Sequence, residues 1–178
     1  HKVAGVDYRI VPLADYEPDI LYQKQVEAYY ADPGLNKPVG RFGNAADKWG
    51  LANWMAAAVA DEADADVGFY HIGGVRLDSI PAGGVSAAKV YGLEPFGTLV
   101  ARMEMTPAQM RRMIVSKYND PVNAKEAHRI DLISTTPYVI VTDAADNALD
   151  VQFPKLREGR KYKVAVSDYI YRNYNDME

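Results

Sequence analysis

The most regular alternation of apolar and polar positions in the chain is Thr98–Met105, TLVARMEM, with Leu99, Ala101, Met103 and Met105 on one face and Val100, Arg102 and Glu104 on the other. A period of two predicts a β-strand covered on one side. A helix start follows at once: Thr106 as N-cap, Pro107 at the first helical position, and Gln109 three residues after the cap. That pattern is a capping box, in which cap and third residue each satisfy a backbone amide of the other. Met110, Met113 and Ile114 supply the apolar face of the predicted helix, which ends around Tyr118. Helical spacing is clearest from Ala45 to about Ala63, where Trp49, Ala52, Met55, Ala56 and Val59 fall on one face and no proline interrupts them. Such a stripe predicts a helix facing the core. Directly after it, DVGFYHI (66–72) reads as a short buried strand running into a Gly-Gly turn.

The flanks are less regular. The first twenty residues carry Pro12 and Pro18 and alternate only weakly, which predicts an extended lead-in. Leu21, Gln25, Val26, Tyr29 and Tyr30 then recur at helical spacing until DPGLNKP stops them. Toward the C-terminus, YVIVTD and LDVQF flank AADNA, whose Asp146-Asn147 pair supplies hairpin turn chemistry. KYKVAVSDYI, after the turn REGR, predicts one further strand. Helices and strands mix without a regular βαβ beat, so the expected class is α+β, a single domain with a mixed β-sheet flanked by helices. The expected boundaries are a lead-in segment and short helix over 1–38 and the domain proper over 39–178.

Composition narrows the function. With 178 residues, 48% of them apolar, the chain can bury one sizeable core. A net charge of −4 with no basic block argues against nucleic acid as a partner, because neutralising a run of phosphates takes a basic face. The absence of cysteine excludes disulfides and thiolate chemistry. The longest fully apolar run, Trp54 to Ala60, is far below the roughly 20 residues of a transmembrane helix. Because the sequence begins at His1, processing or trimming is expected to have removed residues before it, with a signal peptide or anchor among the candidates.

The stretch from Tyr70 to Gly97 holds much of the chain's glycine. It contains neither Gly-x-Gly-x-x-Gly nor the Gly-Lys-Ser/Thr ending of a P-loop. It does set Gly73 and Gly74, whose amides carry no side-chain cover, beside Arg76, whose planar fork suits a carboxylate, a phosphate or a diol. The competing structural role is an ion pair of Arg76 with Asp78 or Asp66, the glycines merely turning the chain. Catalysis has fewer resources. The three histidines, His1, His71 and His128, form no paired-ligand motif, and a two-metal hydrolytic centre needs about six convergent His, Asp and Asn ligands. A serine triad would lack its Gly-x-Ser-x-Gly elbow.

DADVGFYHIGGVRLDSIPAGGVSAAKVYGLEPFGTLVARMEMTPAQM resembles the signature region of the C-terminal domain of the 5'-nucleotidase family, which includes the UDP-sugar hydrolases. The likeness rests on His71 to Arg76 (a Gly-rich turn into arginine), Ile80 to Gly83, and Pro95-Phe96-Gly97-Thr98. Upstream, FGNAADKWGLANWMAAAVADEADADVG is similar to the family's leading helix; downstream, REGRKYKVAVSDYIYRNYND is similar to its closing strand, and the likeness runs from about Val39 to Asn175. The resemblance implies a module that stacks a nucleoside base between two rings, Phe96 and Tyr169, with Arg76 as polar clamp. Gly73, Gly74, Gly97 and Thr98 would lie around the ligand, and Arg41 matches more loosely a family arginine before the long helix. It also implies no cofactor in this chain, divalent metals belonging to a separate metallophosphatase domain or subunit, and export to the periplasm or cell envelope. The chain departs from the family pattern at three places. Thr98 stands for asparagine, Arg172-Asn173-Tyr174-Asn175-Asp176 for a Gly-Gly-Asp-Gly-Tyr tail, and His71-Ile72 for a small polar residue and glycine. Two functions are therefore expected to compete: a nucleotide- or nucleoside-binding module, and an interaction subunit that keeps the fold and docks a metallophosphatase or another exported protein. A free-standing hydrolase is the third reading.

Overall fold

The computed structural model of the protein describes residues 5–120 and 132–173. A 3-10 turn at Leu13–Asp15 lies in the lead-in, and α1 (Ile20–Tyr30) follows, capped by Asp19, whose carboxylate accepts from the amides of Leu21 and Tyr22. Then come α2 (Pro33–Asn36), β1 (Pro38–Phe42), β2 (Ala46–Asp47), α3 (Lys48–Glu62) and β3 (Val67–His71). A 3-10 turn at Ile72–Gly74 leads to β4 (Ser79–Ile80), β5 (Gly83–Ser86), α4 (Ala87–Leu93), β6 (Val100–Met105) and α5 (Pro107–Tyr118). The chain closes with β7 (Leu132–Ser134), β8 (Val139–Thr142), β9 (Ala148–Gln152), β10 (Tyr162–Ser167) and α6 (Asp168–Asn173).

The centre is a four-stranded sheet in the order β6-β10-β3-β7, with β10 parallel to β3 and the other pairs antiparallel. It is the mixed sheet expected, and alternation along its strands splits the core into two layers. Val67 and Phe69 of β3 with Val164 and Val166 of β10 face α5, whose Met110, Met113 and Ile114 pack on them. Tyr70 and Ala165 face α3, which contributes Leu51, Ala52, Ala56 and Val59. Gly68 lets the helix lie directly on the strand: a Cβ there would sit 2.1 Å from the Ala56 carbonyl oxygen. The capping box of α5 is present in full, and the β8–β9 hairpin turns at Asp146, whose φ is +62°.

Three expectations need correction. Trp49 does not belong to the buried stripe of α3: the helix starts at Lys48, capped by Asp47, which puts Trp49 in an exposed first turn while Leu51 takes the core position. Leu99 is exposed because β6 begins one residue later, at Val100. The last strand stops at Ser167, whose hydroxyl accepts from the Ile170 amide and opens α6, so Asp168-Tyr169-Ile170 is helical. The glycine-rich stretch, for which no elements are expected beyond the Gly-Gly turn, contains β4, β5 and α4, the last capped by the Ser86 hydroxyl, which accepts from the Lys89 amide. No helix among the described residues is long and apolar enough to cross a membrane.

Candidate functional site

β3 and β10 run in the same direction, so their C-terminal ends leave the sheet at one edge, and β6, antiparallel to β10, begins at that edge opposite Ser167. Two hydrogen bonds stitch the edge: the Asp168 amide donates to the Leu99 carbonyl at 2.8 Å, and the Leu99 amide donates to Asp168 Oδ1 at 3.2 Å. On the other side, the Arg76 amide donates to the Leu93 carbonyl at 3.0 Å, tying the turn after β3 to the end of α4. The loop from Pro95 to Leu99 is held at both ends, and Gly97 bends it at φ +62°, a backbone state that strains any other residue.

This arrangement brings Arg76 to Phe96. The guanidinium carbon lies 5.9 Å from the Phe96 ring centroid, and Nη1 donates to the Gly73 carbonyl at a long 3.4 Å. Among the described residues no carboxylate pairs with Arg76; Asp66 instead accepts from the Lys163 amide at 2.9 Å, so the ion pair with Asp66 or Asp78 does not form. The ring itself is 61% exposed, a high value for a phenylalanine. Cation and open aromatic face thus stand side by side at the surface.

Tyr169, in the first turn of α6 and 48% exposed, stacks on the His71 ring with centroids 4.5 Å apart and planes 21° apart. His71 in turn stacks on Tyr70 at 5.3 Å and 29°. Gly74 is buried beneath the imidazole: a Cβ there would meet His71 Cε1 at 2.6 Å and Nε2 at 2.9 Å. Gly73 is half-buried. The Thr98 hydroxyl donates to Glu94 Oε1 at 2.5 Å, closing the loop on itself. Beneath it, burial pushes the Tyr70 phenol up to about 12 and the Glu94 charge adds to the shift, while the Thr98 hydroxyl, short of full hydrogen-bond geometry, acts the other way. Arg41 is exposed on β1, opposite Gly84 in a separate two-stranded pairing, and no hydrogen bond, ion pair or ring contact joins it to Arg76, Phe96 or Tyr169 among the described residues. Tyr174 to Asp176, His1 and His128 lie outside the described residues.

Neither the His71–Tyr169 stack nor the Glu94–Thr98 bond is foreseen from the sequence. The first depends on which strands pair in parallel, which no local pattern reveals. Among the described residues no three His, Asp or Glu side chains converge as metal ligands, so they do not fit a two-metal hydrolytic centre. The groups shown to be adjacent, the Arg76 cation and the open Phe96 ring, have the chemistry that suits a flat ligand with a polar edge.

The profile of the 5'-nucleotidase C-terminal domain matches residues 34–177. The chain belongs to that family. Its fold is similar to solved structures of a 5'-nucleotidase precursor from Thermus thermophilus (TM-score 0.63, 18% identity, 87% of this chain and 34% of that one). It is also similar to the NAD nucleotidase of Haemophilus influenzae (TM-score 0.61, 16% identity, 85% and 32%). A third likeness is to a putative 5'-nucleotidase from Staphylococcus aureus solved with alpha-ketoglutarate (TM-score 0.56, 15% identity, 87% and 35%). At these identities the likeness is one of fold, and the chain spans about a third of the length of each relative. No curated protein matches the sequence.

Proposed function

We propose that this 5'-nucleotidase C-terminal domain binds the nucleoside part of a nucleotide for a 5'-nucleotidase-type phosphoric ester hydrolase, and leaves the hydrolysis to a separate metallophosphatase domain or subunit. The observation that carries the reading is the Arg76 guanidinium beside the exposed Phe96 ring, with no carboxylate among the described residues to neutralise it. An unneutralised arginine seeks an anionic or hydroxyl-rich partner, and an open aromatic face stacks any base for roughly 1–3 kcal/mol. Phe96 and Tyr169 are the stacking rings and Arg76 the polar clamp. Gly73 and Gly97 shape the backbone around them, Gly74 contributes by seating His71, and Thr98 braces the loop through Glu94. Arg41 is assigned to a more distant part of the substrate. Divalent metals belong to the metallophosphatase half, and the precursor description of the Thermus relative supports export to the periplasm or cell envelope.

The test is a thermal melt with adenosine, AMP and UDP-sugars. At least one should raise Tm, and Phe96→Ala should abolish the rise; a flat response across the panel overturns the reading. The second reading, a docking subunit without a ligand, is favoured by α1, which buries none of its residues although Leu21, Tyr22, Tyr29 and Tyr30 are all large and exposed. It predicts a melt indifferent to nucleosides and a complex with a metallophosphatase that Val26→Arg disrupts.

A further inference from the structure

We infer that His71 is a positioning residue that clamps the Tyr169 ring from behind. Three observations converge on it. The imidazole lies between two phenols, 5.3 Å from Tyr70 and 4.5 Å from Tyr169, close to parallel with both. The edge of the ring at Cε1 and Nε2 lies against Gly74, where even a methyl group would come within 2.6 Å of it. Its base, Tyr70, is fully buried and fixed in the core against α3. The three rings therefore form a stack anchored at one end in the interior and ending at Tyr169 on the surface.

A tyrosine on a short terminal helix would otherwise swing through its rotamers, and each ring frozen by a ligand costs side-chain entropy on binding. With His71 stacked on it, part of that ordering is in place before any ligand arrives. The imidazole covers one face of Tyr169, and under the proposed function the ligand meets the part of the ring that is exposed. The inference deepens the proposed function and, for its effect on ligand affinity, rests on it. It also reassigns Gly74: the glycine makes room for the clamp and is covered by it.

The experiment has a ligand-free arm and a ligand arm, both on the whole chain. In the first, proton and carbon NMR of tyrosine-labelled protein, with Tyr169→Phe to assign the signal, should find the Tyr169 ring protons displaced by the ring current of His71. His71→Ala and His71→Asn should lose that displacement, Gly74→Ala should reduce it by pushing the imidazole aside, and His71→Phe, which keeps a flat ring, should retain it. Tyr169 signals that do not move in His71→Ala overturn the clamp. In the second arm, adenosine affinity measured by calorimetry should fall about fivefold to tenfold in His71→Ala and His71→Asn and recover in His71→Phe. Wild-type affinity in His71→Ala, with Phe96→Ala inactive, overturns the clamp's role in binding. If wild-type protein ignores adenosine, the proposed function falls, and the ring-current arm still decides the clamp by itself.

Discussion

α1 and α3 are both rich in apolar residues, and only one of them has a core. α3 buries Leu51, Ala52, Ala56, Val59 and Ala60; α1 buries nothing. The difference lies in how closely each helix can be approached. The alanines of α3 present a smooth strip that lets its backbone come down onto Gly68 of β3, and the bulky Trp49 and Trp54 are left outside, Trp54 resting on Phe42 at 5.5 Å. In α1 the large side chains Tyr22, Val26, Tyr29 and Tyr30 share one face, yet that face lines an open cleft with Leu35, Ala88 and Tyr91, and none of them is buried. At 11 residues α1 is also shorter than the roughly 12–15 that hold a helix in water unaided. Apolar content makes a core only where shape lets surfaces meet.

The closest approach of α3 to the sheet is where this contrast is most exposed to test. Gly68→Ala drives a methyl group into the Ala56 carbonyl and against Ala60, and neither can retreat without separating α3 from the sheet. A loss of at least about 3 kcal/mol in urea unfolding is expected, and a near-normal midpoint would mean the contact is looser than described.

The next effect concerns Tyr70, which lies on the α3 side of β3. Its folded pKa, about 12, is above the ordinary 10.0, so the folded state holds the phenolic proton more tightly than the unfolded chain does. The resulting stability is complete below pH 10 and is lost as pH rises from 10 through about 12. Tyr70→Phe should be near neutral at pH 7, where it removes a buried hydroxyl lacking a full hydrogen bond, and should flatten the alkaline decline by on the order of 2 kcal/mol. Parallel alkaline unfolding curves for the two proteins would contradict this.

The smallest effect belongs to α1. Val26→Ala should change stability by no more than about 0.5 kcal/mol, as expected of an exposed site. A loss several times larger would place α1 in the core after all and erase the contrast with α3.

The sequence speaks most clearly where a signal is local and chemically redundant. α5 is legible because Thr106, Pro107 and Gln109 all announce the same start, and β3 because an uninterrupted apolar run admits few alternatives. β2 and β4 are not, since two-residue strands hold no period to detect. α4 is masked by the glycines around it, although Ser86 three residues before Lys89 is a cap signal that marks its start. Tyr169 reads as strand because β-rich residues precede it; the Ser167 hydroxyl, an N-cap in disguise, decides otherwise. At the candidate site the Arg76–Phe96 neighbourhood follows from the spacing of a family pattern, whereas the His71–Tyr169 stack depends on strands nearly a hundred residues apart lying side by side.

The reciprocal pair between Leu99 and Asp168 has a kinetic consequence. The backbone that leaves the Phe96 loop and the first residue of α6 are bonded to each other in both directions, so the segments bearing the two surface rings are tied together at Leu99 and Asp168. If the domain binds a planar ligand as proposed, this tie predicts capture governed by diffusion and orientation, with no slow closing step to wait for.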